Sequence, residues 1–304
     1  MKILVLGALG TIGRRLSAEL KQRGHEVWLS DKGHYHEPNY KRCNIDEFRQ
    51  VEALLTQAEF DYVYHLAAEF GRRNGEDFYE SLWKTNAIGT KNMIRMQERL
   101  KFRMIFTSSS EVYGDYRGVI TEKVMGEKSI RQTSDYAISK WVNEMQILNS
   151  AERFDTETVR VRLFNNYGPG EYYSEYRSAI CTFIYKAIHD LPYVVYTGHK
   201  RTFTYVDDTV RTLANIAENF KPGEAYNIAG DKVHSMKQVS DLILGHLGKS
   251  DSLVEYRDVE EATSLEKRLD ISKAVRDLKH QNTVGLEEGL ARTIVWQKEV
   301  YKRG

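Results

Sequence analysis

KILVLGALGTIG, residues 2–13, decides the architecture of this 304-residue chain. KILVLG is a short apolar run of the kind that a strand buried on both faces requires. Gly7, Gly10 and Gly13 follow, with Thr11 and Ile12 between the last two, and then an amphipathic segment from Arg14 to Arg23. Glycines at a strand-to-helix turn permit a tight bend, close approach of the backbone to a pyrophosphate, and close packing of helix on strand. The helix start presents free N–H groups to phosphate oxygens. The next strand, HEVWLSD, ends at Asp31, 18 residues beyond Gly13. A carboxylate there accepts hydrogen bonds from the adenosine ribose hydroxyls and repels a 2′-phosphate, which favours NAD over NADP.

Outward from this turn, strands alternate with helices over the first two-thirds of the chain, which predicts a parallel, doubly wound α/β sheet of Rossmann type. DYVYHLAA supplies a further strand, followed by the polar segment EFGRRNGEDF at 69–78, which reads as a loop at the carboxyl end where such sheets bind ligands. RMIFTSS and VRVRL are the next strands, and the Pro169–Gly170 break marks passage into a smaller mixed α/β region. The expected division is a dinucleotide domain over 1–167 with a returning segment at about 201–228. A substrate domain is expected from 168–200 and 229–304, closing with an amphipathic helix at 286–303.

Composition narrows the function. Lys plus Arg, 44, nearly equals Asp plus Glu, 43, so no global basic field favours nucleic acid, and an anionic ligand needs local cations. Two cysteines, Cys43 and Cys181, make no disulfide framework and no zinc spacing, which fits a reducing cytoplasm. No apolar run approaches membrane-spanning length, and the opening MKILVLG reads directly as a strand rather than a signal peptide. No metal site is expected, since His34 and His36 stand in a loop without further ligands near them.

YAISK, residues 136–140, carries the chemistry. Tyr136 and Lys140 are four apart and share one helix face. A phenol of ordinary pKa ~10 is a poor base at neutral pH, and an adjacent ammonium favours its ionised form. Lowering that pKa by about three units takes roughly 4 kcal/mol, which Lys140 and a cationic nicotinamide are expected to supply together.

The GxxGxxG spacing combined with YxxxK resembles the extended short-chain dehydrogenase/reductase family, the NAD-dependent nucleotide-sugar epimerases and dehydratases, and further matches in the family's order cover nearly the whole chain. The resemblance implies that Asn44 and Ile45 meet the adenine, that Leu66, Ala67 and Ala68 line the nicotinamide side, and that Asn86 of TNAIGT contributes to the cofactor site. His65 is expected to be a buried structural histidine. SSSEVYG aligns Ser109 with the family's hydroxyl partner, completing a Ser109–Tyr136–Lys140 triad that removes a proton and a hydride from a sugar carbinol.

Ser110 and Glu111 stand where the 4,6-dehydratases carry Asp-Glu and where UDP-glucuronate decarboxylases carry Ser-Glu. The decarboxylases also have an arginine near the carboxyl terminus, at the position of Lys267 here. The triad alone suits a 4-epimerase, which is the leading expectation. Dehydration, decarboxylation and a non-catalytic dinucleotide sensor are the alternatives. Asn165 of FNNYGP and Arg201 of KRTFTYVDD match residues that hold the substrate diphosphate, with Arg177, Lys267 and Arg268 as further substrate contacts. The substrate implied is a nucleoside-diphosphate sugar. A homodimer is implied through a four-helix bundle built from 86–100 and 136–149, with Trp141, Val142, Met145 and Leu148 as candidate interface residues.

Overall fold

The computed structural model describes residues 1–260 and 265–302. Positions 261–264 of the expected substrate domain, and 303–304 at its end, lie outside the described residues. The strands are β1 (Lys2–Leu6), β2 (Glu26–Asp31), β3 (Tyr40–Arg42), β4 (Tyr62–His65), β5 (Arg103–Ser109), β6 (Val119–Ile120) and β7 (Thr158–Leu163). A further strand, Ala225–Ile228, returns to pair with β7. The large sheet has seven strands in the order Ala225–Ile228, β7, β5, β4, β1, β2, β3, all parallel. The strand order reverses at β1, so the crevice beyond the carboxyl ends of β1 and β4 is the switch point at which such sheets bind ligands.

The apolar runs read from the sequence become strands because both faces are covered. One face carries Leu16 and Leu20 of helix Thr11–Gln22 and Val210 and Leu213 of helix Val206–Glu218. The other carries Val51 and Leu54 of helix Phe48–Leu55 with Met93 and Ile94 of helix Thr90–Leu100. A separate core joins helices Ala179–Ile188, Met236–Leu247 and Leu286–Val300 to the strand Tyr193–Tyr196. Helix Ser272–Leu278 belongs elsewhere: its Ala274 and Leu278 are buried in the core of the large sheet.

The segment 69–78, expected as a loop, is largely helical. Gly71 takes φ +98°, and short helices Arg72–Asp77 and Tyr79–Trp83 lead through a wider turn at Lys84–Gly89 into Thr90–Leu100. Gly75 packs against Leu82 and Tyr136, so that an added methyl would have to displace the Leu82 side chain. Its polarity therefore reflects a solvated outer face rather than irregular backbone. No helix among the described residues is long and apolar enough to cross a membrane.

Candidate active site

The glycine turn is built as its spacing demands. Gly7 has φ +79°, and a Cβ on it would stand 2.7 Å from the Ala67 nitrogen. A Cβ on Gly13 would overlap the Gly7 carbonyl oxygen. Gly7 and Ala8 donate their N–H groups to the Ser30 carbonyl at 2.9 and 3.0 Å, and Asp31 accepts from the Leu9 N–H at 3.0 Å. Gly10 precedes the helix that begins at Thr11, whose hydroxyl donates to the Gly170 carbonyl at 3.1 Å. The start of that helix is thus braced by the 168–170 turn.

A cavity of about 650 Å³ opens above this turn. Its walls include Gly7, Gly10, Thr11, Ile12, Gly13, Asp31, Asn44 and Ile45. Leu66, Ala67, Ala68, Tyr136, Lys140, Asn165 and Arg177 line it as well. A cavity walled by glycine backbone, a helix start and the Asp31 carboxylate fits a dinucleotide. His65 lies beneath it, fully buried, with Nε2 3.1 Å from the Thr90 hydroxyl. Burial pushes that imidazole down to about 3, so it is neutral and takes no part as a base.

Tyr136 and Lys140 share one helix face, and that helix packs on the strand that ends at Ser109. Ser109 ends β5, Tyr136 and Lys140 lie on helix Asp135–Phe154, and the Ser109 hydroxyl stands close enough to the Tyr136 phenol to favour its ionised form. The Lys140 ammonium donates to the Thr107 carbonyl at 2.9 Å and lies 5.0 Å from the centre of the Phe106 ring. Their electrostatics differ from expectation. Burial pushes the Tyr136 phenol up to about 12, with only the Ser109 hydrogen bond drawing it down, and burial lowers Lys140 to about 8. The reason is desolvation: a dry pocket penalises phenolate and ammonium alike, and it outweighs the opposing effect of Ser109 on the phenol and of Glu144 on the ammonium.

A lysine lowered in this way costs the fold stability while it stays charged. The loss is present below pH 8 and is recovered as pH rises from about 8 toward the unfolded value of 10.5. At ~1.4 kcal/mol per unit the cost is roughly 3 kcal/mol at neutral pH. Lys140→Met should therefore melt no lower than the parent chain at pH 7 by calorimetry, while activity is lost.

A charged cluster adjoins the Ser109–Tyr136 pair. Lys267 donates to Glu111 at 2.8 Å and to the Ser110 carbonyl at 3.0 Å. The lysine charge, first, with help from Arg201 and Arg72, holds the Glu111 carboxyl below its ordinary value. Arg201 donates to the Lys200 and Leu265 carbonyls at 2.8 and 2.9 Å, and Arg72 pairs with Glu260 at 2.6 Å. Asn165 is exposed toward the cavity with φ +35°, its amide donating to the Thr202 carbonyl at 2.9 Å. Arg177 stacks over the Phe70 ring at 4.6 Å.

Three expected site residues lie outside the cavity wall or make their polar contacts elsewhere. Asn86 is fully buried outside the cavity wall: it accepts from the Glu69 N–H and donates to the Glu69 carbonyl, each at 2.9 Å, and donates to Ser139 at 3.0 Å. It clamps the segment after β4 onto helix Asp135–Phe154. Arg268 points to solvent, 75% exposed, and pairs with Glu266 at 3.8 Å. Residues 268–269 form a two-residue strand paired with β6, so adjacent side chains face opposite ways and only Lys267 turns inward. Ser110 meets the cluster through its carbonyl, with its side chain buried.

Two residues of the site gave little sequence signal. Glu171, buried in the cavity wall, accepts from the Ser178 N–H and hydroxyl at the start of helix Ala179–Ile188. Glu144 lies buried beneath the triad.

The fold and this constellation define a dinucleotide-dependent enzyme of sugar nucleotides: residues 3–229 match the model of the NAD dependent epimerase/dehydratase family, and the chain belongs to that family. Its cofactor is accordingly NAD. Among curated proteins, it is similar to the UDP-N-acetyl-alpha-D-glucosaminuronate decarboxylase of Bacillus cytotoxicus, 31% identical over 98% of each chain. It is also 31% identical to UDP-glucuronic acid decarboxylase 1 of Xenopus tropicalis, over 96% of this chain and 71% of that one. Among solved structures it resembles the UDP-glucuronic acid 4-epimerase of Bacillus cereus in complex with UDP-glucuronic acid and NAD, at 26% identity and TM-score 0.87, covering 99% of this chain and all of that one.

Proposed function

We propose that the chain oxidises a nucleoside-diphosphate uronic acid at C4 and then releases its C6 carboxylate as carbon dioxide, leaving a nucleoside-diphosphate pentose. The observation that carries this reading is the Lys267–Glu111 pair, 2.8 Å apart beside the Ser109–Tyr136 contact. Lys267 occupies the sequence position at which decarboxylases have arginine, and its ammonium still reaches Glu111. With Arg201 and Arg72 close enough to act on the same carboxylate, the surround is electropositive and favours an anionic sugar.

NAD, when bound, supplies an acceptor for the C4 hydride and later its return. Tyr136 takes the C4 hydroxyl proton and Ser109 fixes the sugar oxygen. A C4 ketone makes the uronate a β-keto acid, so the C5–C6 bond breaks with its electrons drawn toward the carbonyl. C5 then gains a proton, for which the Lys267 ammonium, hydrogen-bonded to the ionised Glu111, is the donor at hand. Asn165 and Arg201 hold the diphosphate, with Arg177 alongside. Four-epimerisation, the leading expectation from sequence, is kept second; the likeness to the Bacillus cereus epimerase supports it. Dehydration lacks its usual proton donor, since Ser110 replaces an aspartate. A cytoplasmic homodimer through helices Thr90–Leu100 and Asp135–Phe154 completes the proposal. Met145 and Leu148 of the second helix are exposed, as is Ile88 just before the first.

Incubation with UDP-glucuronate, UDP-N-acetylglucosaminuronate and UDP-glucose, read by mass spectrometry, tests the assignment. Loss of carbon dioxide from a uronate is expected; unchanged mass with an altered C4 centre by NMR establishes epimerisation instead. Lys267→Met should lower turnover by about 10²-fold, the scale of removing one electrostatic contact in a dry site, whereas Lys267→Arg retains most of it.

A further inference from the structure

Glu144 has no part in the chemistry described so far, yet its carboxylate is fully buried beneath the reacting groups. Four donors converge on it. Ser108 Oγ at 2.6 Å and Arg162 Nε at 2.9 Å meet one oxygen; Arg162 Nη2 at 2.7 Å and Arg160 Nη1 at 3.2 Å meet the other. Arg162 also donates to the Tyr113 hydroxyl at 2.7 Å and the Glu122 carbonyl at 3.0 Å. Tyr113 in turn donates to Asn227 at 2.7 Å.

Tyr136, Lys140 and Glu144 fall at successive turns on one stripe of helix Asp135–Phe154. Each meets one of three consecutive residues of β5: Tyr136 meets the Ser109 hydroxyl, Lys140 the Thr107 carbonyl, Glu144 the Ser108 hydroxyl. We propose that Glu144 is a positioning residue: its ion pair with Arg162, closed on Ser108, sets the register of this helix on β5 and keeps the Lys140 ammonium charged and seated beside Tyr136. The inference rests on Lys140 being the cation of the reaction described above.

The groups around Lys140 support it. From β5 come the Thr107 carbonyl and the Phe106 ring; from β4 comes His65, buried and neutral. Its own helix contributes Tyr136, neutral below its raised pKa, and Glu144. Behind Glu144 stand Arg160 and Arg162 from β7, and Tyr113. Glu144 is thus the negative charge in a set with three cations. It is the group that opposes the fall of Lys140 on burial.

The test titrates Lys140 itself. Full-length chain grown with lysine labelled with carbon-13 at Cε is followed by NMR against pH, with Lys140→Met identifying the signal. In Glu144→Gln the Lys140 midpoint should fall by about one pH unit, the effect of losing a neighbouring opposite charge, and the alkaline limb of turnover should fall with it. A folded Glu144→Gln chain with the parental midpoint overturns the proposal. Ser108→Ala removes one donor and no charge, so it folds even where Glu144→Gln does not. It should lower kcat about fivefold with KM unchanged, the scale of one hydrogen bond, and an unchanged kcat overturns the positioning role. The midpoint needs no substrate, so it decides the inference even if every nucleotide sugar proves inert, an outcome that contradicts the proposed function alone.

Discussion

Tyr136→Phe should lower turnover by about 10²–10⁴-fold, the range of a lost general base, while NAD still copurifies. The substitution removes one oxygen from a ring whose backbone and neighbours are otherwise kept. The Ser109 hydroxyl loses its phenol partner but keeps the Glu111 N–H at 3.2 Å. The size of the effect follows from the electrostatics. Burial holds the phenol at about 12, so the free site stores no phenolate at neutral pH, and the proton must be taken up as the sugar and the cationic cofactor arrive. Turnover should therefore rise with pH across the neutral range as phenolate becomes accessible. It should fall again where Lys140, lowered to about 8, loses its proton. Activity retained in Tyr136→Phe contradicts the assigned base.

Gly13→Ala should abolish cofactor binding outright. An added methyl overlaps the Gly7 carbonyl oxygen and stands 2.8 Å from the Ala8 Cα, so backbone rather than a flexible side chain must move. Relieving that overlap pushes the helix start away from the turn, and the N–H groups that would face a pyrophosphate separate. Overpacking of this kind costs about 1–3 kcal/mol of stability, which leaves a folded chain to assay. The purified variant should lack the absorbance and mass of NAD, and added NAD should not raise its melting temperature. Parental NAD content in Gly13→Ala contradicts the turn as the phosphate site.

The two variants draw on parts of the chain that differ in how readily sequence reveals them. The turn was legible because its chemistry is local: strand, glycines and helix follow one another within 13 residues, and each glycine has a steric reason. Tyr136 and Lys140 were legible because helix periodicity puts them on one face. Glu111 and Lys267 lie 156 residues apart and meet only through the pairing of residues 268–269 with β6, so the sequence offered each as a candidate without joining them. That same short pairing turns Arg268 outward, which two adjacent basic residues cannot announce. Asn86 could not be placed from sequence because an asparagine's amide serves a ligand and backbone equally well; here the Glu69 backbone meets both ends of it.

Glu144 did leave a trace. VRVRL alternates like a strand with one wet face, yet β7 lies inside the sheet and both arginines are buried. Arginines in a strand covered on both sides require an anion. The glutamate on the helix that carries YAISK is that anion.

The central claim is that hydrogen leaves C4 of the sugar and returns to it within one bound complex. UDP-glucuronate carrying deuterium at C4 tests this most directly, with the product isolated and its mass and NMR spectrum taken. The expected product has lost carbon dioxide and kept its deuterium at C4, with no net change in nicotinamide absorbance. Decarboxylated product with ordinary hydrogen at C4, or deuterium accumulating in free reduced cofactor, would contradict it.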